Sequence, residues 1–157
     1  MASARKVELD CEAPFGLAAK RVVKARAKEV FMHSKGVLDL DDVERVHDMR
    51  VATRRLRAAL EIFEDCFPRK RHRKSLKRVK ALADALGERR DLDVEIALLE
   101  GLHGEVERED REALEALIED LRAKQRRAND DLASFLTAKR LKKLRRRLVK
   151  LARAAER

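Results

Sequence analysis

The stretch VHDMRVATRRLRAAL, residues 46–60, mixes apolar and cationic residues at spacings that a helix sorts into two faces. At about 100° per residue, Met49, Ala52, Leu56, Ala59 and Leu60, with Phe63 just beyond, fall on one stripe about 100° wide. His47, Arg50, Arg54 and Arg57 fall within an arc of about 80° roughly opposite, and Arg55 belongs to neither group. An apolar stripe of that width needs a partner surface, so the segment reads as one amphipathic helix of a bundle.

The same periodicity continues on both sides. A first helix is expected from Pro14 to about His33, with Phe15, Ala19, Val22, Val23 and Val30 at helical spacing and Gly36 as its stop. Asp41 or Asp42 can cap the second helix by accepting backbone hydrogen bonds, and that helix is expected to run to Phe67, ended by Pro68. A third starts in RKRHRKSLKRVK, presents Leu76, Val79, Leu82 and Leu86, and reaches Gly87, where it stops or bends before the pattern resumes as far as Gly101 and Gly104. A long helix from about Glu105 to Leu136 follows, and Thr137 can cap a last one with Leu141, Leu144, Leu148 and Leu151 as its seam. No strand pattern interrupts this series. The expected fold is all-α: an antiparallel four-helix-type bundle with an additional C-terminal helix over residues 14–157, preceded by a flexible N-terminus, 1–13.

The composition bounds the function. The chain has 157 residues, room for one core, and 43% of them are charged, well above the roughly 25% usual in soluble domains. Lys and Arg number 39 against 29 Asp and Glu, a net charge of +10, so the expected partner is an anion. The charge is segregated: ten basic and two acidic residues lie between Arg69 and Arg90, twelve acidic and two basic between Asp91 and Asp120, and ten basic and one acidic from Thr137 onward. No apolar segment has the length of a signal or a membrane span, so a cytoplasmic protein without membrane insertion is expected. Cys11 and Cys66 read as inert thiols, and no metal or cofactor is expected.

The arc on the second helix is the candidate site. A run of like charges on one arc destabilises the helix unless an anion or another element neutralises it, and along this arc only Glu61 follows. Guanidinium groups offer paired donors that match phosphate oxygens, and a protonated His47 would add two more. Rows on neighbouring helices could line the same groove: Arg73, Lys77 and Lys80 on the third, and Lys24 and Arg26 on the first, Arg26 being closest to the apolar side. No nucleophile, carboxylate pair or metal-ligating set stands at catalytic spacing, so no catalytic residue is assigned.

VHDMRVATRRLRAALEIF resembles the signature of the CHAD family, the conserved-histidine α-helical domains, and LADALGERRDLDV, Leu82–Val94, is similar to that family's second motif. The resemblance covers about residues 14–155. It implies a helical domain that binds inorganic polyphosphate through a basic channel, without a reaction of its own, with a place at polyphosphate granules. By position it implies His47, Arg50, Arg54, Arg55 and Arg57 as ligand contacts, and Arg90 with Asp91, the latter as contact or as the ion pair that orients Arg90. Family members of usual length contain two such halves. This sequence carries one copy of the motif, which neither His72 nor His103 restores, so a homodimer that completes the groove is expected.

Two other function classes bear on the same residues. A nucleic-acid binder would use the same charge nonspecifically, but Trp and Tyr are absent and the five Phe fall mostly on apolar faces, leaving no stacking platform for single strands. The terminal KRLKKLRRRLVK could lie along a duplex or a membrane surface, although its leucine seam suits a bundle better. A polyphosphate-cleaving enzyme of the kind that accompanies CHAD domains would need a Glu-x-Glu-x-Lys strand, and EVERE has Glu109 at the lysine position; no glycine-rich phosphate loop is present either.

Overall fold

The computed structural model describes residues 4–10 and 12–155. All regular structure among them is helical: α1 (Phe15–Met32), α2 (Val43–Ile62), a 3-10 turn (Glu64–Cys66), α3 (Arg69–Gly101), α4 (Arg111–Phe135) and α5 (Ala138–Arg153). None of these helices is long and apolar enough to cross a membrane.

The main core is built from the stripes read in the sequence. Val23 and Val30 of α1, Met49, Leu56 and Leu60 of α2, Val79, Leu82 and Leu86 of α3, and Leu148 and Leu151 of α5 pack into one cluster. Burying each such side chain contributes about 1.5–3 kcal/mol relative to exposure, which outweighs the weak helix propensity of the valines. The seam of α5 therefore faces the bundle and leaves its cations outside. Neighbouring helices run antiparallel: the Phe15 ring lies 5.0 Å from that of Phe63, His72 Nε2 donates to the Leu60 carbonyl at 2.8 Å, and Arg90 Nη1 donates to the Val43 carbonyl at 3.3 Å.

Local chemistry sets the boundaries. Gly36 ends the α1 region with φ 73°, the left-handed conformation that L side chains disfavour, and a Cβ there would also lie 2.8 Å from Arg45 Nη1. Thr137 Oγ1 accepts from the Arg140 backbone N–H at 3.3 Å and caps α5. Asp42 occupies the N-cap of α2, but its carboxylate takes Arg45 Nε at 2.7 Å in place of a backbone donor. The second helix stops at Ile62, short of the expected Phe67. Phe67 precedes Pro68 and is extended, and Phe63, Cys66 and Phe67 enter the core from the 3-10 turn and its flanks. The fourth helix starts at Arg111, after a set of turns where helix was expected from Glu105.

Helix α3 passes through Gly87 unbroken. Its 33 residues span about 50 Å, against about 30 Å for α2, so its distal half outruns the bundle and pairs with α4 as a hairpin. Ile96, Leu114, Ile118 and Leu121 form a second, smaller core there. The buried row Leu82, Leu86, Arg89, Asp93, Ile96 explains the continuity, because it keeps one seam facing inward on both sides of the glycine. Two members of that row are charged. Arg89 is fully buried and ion-paired with Asp93; Gln125 Nε2 donates to Asp93 Oδ1 at 2.7 Å; Arg89 Nε donates to Asn129 Oδ1 at 3.3 Å, and Asn129 Nδ2 to the Leu38 carbonyl at 3.0 Å. Burial, and secondarily the charge of Arg90, pull Arg89 below the usual guanidinium range. This network ties α3 and α4 to the α1–α2 loop.

Asp93→Ala strands a buried guanidinium and should cost about 3–5 kcal/mol in urea unfolding, whereas Arg89→Met with Asp93→Leu should stay near wild type. A double variant as unstable as the single one would contradict the assignment of the loss to an unpaired charge.

Candidate anion-binding surface

The outer face of α2 and the flank of α3 meet at Glu61. Arg57 Nε donates to Glu61 Oε1 at 3.1 Å, and Lys80 Nζ of α3 lies 3.2 Å from the same oxygen. The Arg57 hydrogen bond outweighs the opposing effect of burial and, with Lys80, holds the Glu61 carboxyl below the usual carboxylate range. One carboxylate thus bridges two cations and joins the arc of α2 to the outer row of α3. Arg50 and His47 are half-buried and Arg54 is exposed, and among the described residues none of the three has a carboxylate in ion-pair reach.

On α3, Lys80, Arg73 and Lys77 project within about 60° of one another. Lys77 then turns into an open furrow of about 870 Å³ between α3 and α5. Every charged side chain lining that furrow is basic: Lys74, Lys77 and Arg78 of α3, and Lys139, Arg140, Lys143 and Arg147 of α5. Leu82, Leu144 and Phe135 form its floor. An apolar floor beneath cationic walls keeps water away from one side and strengthens attraction for an anion lying in the furrow. The basic surface therefore runs without a break from α2 across α3 to α5.

The remaining expected contacts are placed elsewhere or already engaged. Arg26 Nη1 donates to Glu29 Oε1 at 2.7 Å and to the Arg5 carbonyl at 3.1 Å, and Glu29 also accepts from the Arg5 backbone N–H at 2.7 Å. Lys24 borders a separate hollow between α1 and α5, where Arg145 stacks 4.7 Å above the Phe31 ring. Arg55 is half-buried on the flank of α2 away from the arc. Arg90 is clamped to the start of α2, by the Val43 carbonyl and by Glu44 at 3.5 Å. Its carboxylate partner is thus Glu44 and not Asp91, because adjacent residues on a helix do not face each other.

Sequence reasoning reached one member of the furrow, Lys77, and missed the other six cations. The signal lay in Lys74 and Arg78, and in Lys139, Lys143 and Arg147, rows at helical spacing beside the leucine seams of α3 and α5. That those two helices adjoin is a tertiary fact. Among the described residues no three His, Cys, Asp or Glu side chains gather at metal-ligating distance.

These features define an all-helical bundle with a continuous cationic flank and an acidic hairpin. The CHAD domain model matches residues 21–157, and the chain belongs to the CHAD domain family. No curated protein matches it.

Both partners of the Glu61 bridge are about 40% exposed, so the bridge is worth at most about 1 kcal/mol after solvent screening. A carboxyl lowered in the fold contributes above its unfolded pKa and loses that contribution as pH falls through its folded value. Glu61→Gln should therefore destabilise slightly at neutral pH, with the difference fading in acid. Titration with inorganic polyphosphate should show severalfold tighter binding by the same variant, since Arg57 and Lys80 are released; weaker binding would contradict this reading of the bridge.

Proposed function

We propose that this chain is a binding module for inorganic polyphosphate, held along the flank formed by α2, α3 and α5, with no reaction of its own. The observation that carries the proposal is the furrow whose charged lining is entirely basic, continuous through Lys77 and Lys80 with the arc of His47, Arg50, Arg54 and Arg57. Polyphosphate is a flexible chain of anionic units without bases, so it needs rows of donors and no aromatic platform. The surface has that character: Phe135 of the furrow has Arg140 lying 5.8 Å from its ring centroid, and Phe63 and Phe67 are buried. Membership of the CHAD family supports the choice of polyphosphate among polyanions. The proposed setting is the cytoplasm, at polyphosphate granules.

Nonspecific binding to DNA or RNA is the competing reading, and competition decides between them. Labelled long-chain polyphosphate should be displaced by unlabelled polyphosphate far better than by duplex DNA or RNA at near-physiological salt. Equal displacement by all three would reduce the protein to a generic polyanion binder. Arg54→Ala with Arg57→Ala, and separately Lys143→Ala with Arg147→Ala, should each weaken binding at least about tenfold and lower the slope of log affinity against log salt by about 1.5. Unchanged slopes would remove those side chains from the site. His47→Ala should also weaken polyphosphate binding; unchanged binding would assign His47 to packing.

A further inference from the structure

Helix α3 has a second seam, on its solvent face. Arg73, Lys77, Lys80, Asp84, Gly87, Asp91, Val94 and Leu98 follow one another at alternating spacings of four and three, the repeat by which one helix keeps a line of contact with another. Among the described residues nothing covers this line in its distal half: Val94 is 51% and Leu98 64% exposed. The charge reverses along it. The half before Asp84 is cationic, and the half after Gly87 is acidic and apolar, with Glu95 beside Val94. Gly87, at the middle, has open space where a Cβ would project, so another backbone can approach there.

We infer that this face docks a second copy of the chain, α3 against α3, antiparallel about a twofold axis between Asp84 and Gly87. Only the antiparallel arrangement matches opposite signs. It sets Lys80 against Asp91 of the other copy, Lys77 against Val94 and the neighbouring Glu95, and Arg73 against Leu98, whose side chain the arginine stem can cover while its head stays in water. Asp84 meets the space at Gly87. Because the contact is isologous, each pairing occurs twice, and the association closes at two chains. Docking through the α2 arcs would instead oppose Arg50 and Arg54 to their own copies. The contact uses the Arg73, Lys77 and Lys80 edge of α3 and leaves to the anion the α2 arc of His47, Arg50, Arg54 and Arg57 and the furrow cations Lys74, Arg78, Lys143 and Arg147, so the inference does not depend on polyphosphate being the ligand.

Light scattering behind size exclusion, at low salt and without any polyanion, tests it. The wild type should show the mass of two chains, and Leu98→Lys and Asp91→Lys should each show one, with unchanged helical circular dichroism. Lys80→Asp combined with Asp91→Lys exchanges the signs and should restore two chains. A one-chain mass for the wild type over the whole accessible concentration range would overturn the interface. So would a two-chain mass that survives both single variants, or a charge exchange that restores nothing. Loss of polyphosphate binding in a protein that still passes these tests would count against the proposed function alone.

Discussion

The structure depends on α3 staying one helix through Gly87. That continuity lets a single element wall the main core with Leu82 and Leu86, enter the smaller core with Ile96, and present its outer residues in one line. A glycine in a helix interior costs about 1 kcal/mol relative to alanine. Packing on both sides of it offsets that cost, and the buried Arg89–Asp93 pair, with Gln125 and Asn129, sits just beyond it. The pair also has a specific geometric role. A buried charge pair disfavours arrangements that separate it, a constraint on how the α3–α4 hairpin leaves the bundle that hydrophobic contacts alone do not impose.

Charge segregation follows from that architecture. The bundle carries the cations of α2, α3 and α5, and the hairpin beyond it carries the run between Asp91 and Asp120, rich in Glu and Asp. Several of these acids are satisfied locally, Glu100 by Arg122 at 2.6 Å and Asp120 by Lys124 at 2.7 Å. The bundle flank is different: the Glu61 carboxylate is shared by two cations, and the charged side chains of the furrow are all basic. Segregation rather than net charge is what makes an extended anion a fitting ligand.

Much of this was legible in the sequence, and what was not has identifiable causes. The cationic arc of α2 and the seam of α5 were readable because periodicity is local and both faces lie on one helix. The end of α2 was not, because Phe63, Cys66 and Phe67 continue an apolar pattern while Phe67, preceding Pro68, turns extended. Arg26 sat nearest the apolar side of its helix, and the structure shows it holding Glu29; Arg90 was assigned by resemblance and holds the start of α2. Arg89 and Asp93 are not legible as core residues by type, because charged residues read as solvent-facing, although their place in the row Leu82, Leu86, Arg89, Asp93, Ile96 marks them as buried. The furrow could not be read at all, since it exists only where α3 meets α5.

The central claim is that an anionic chain lies along α2, α3 and α5 and leaves the hairpin alone. An NMR titration of isotope-labelled protein with inorganic polyphosphate tests it most directly. The predicted result is a set of backbone shifts concentrated at His47–Arg57, Lys74–Arg78 and Lys139–Arg147, with Glu105–Asp120 silent. Shifts confined to one of these helices, or spread evenly over every basic residue including Lys24 and Arg26, would contradict it.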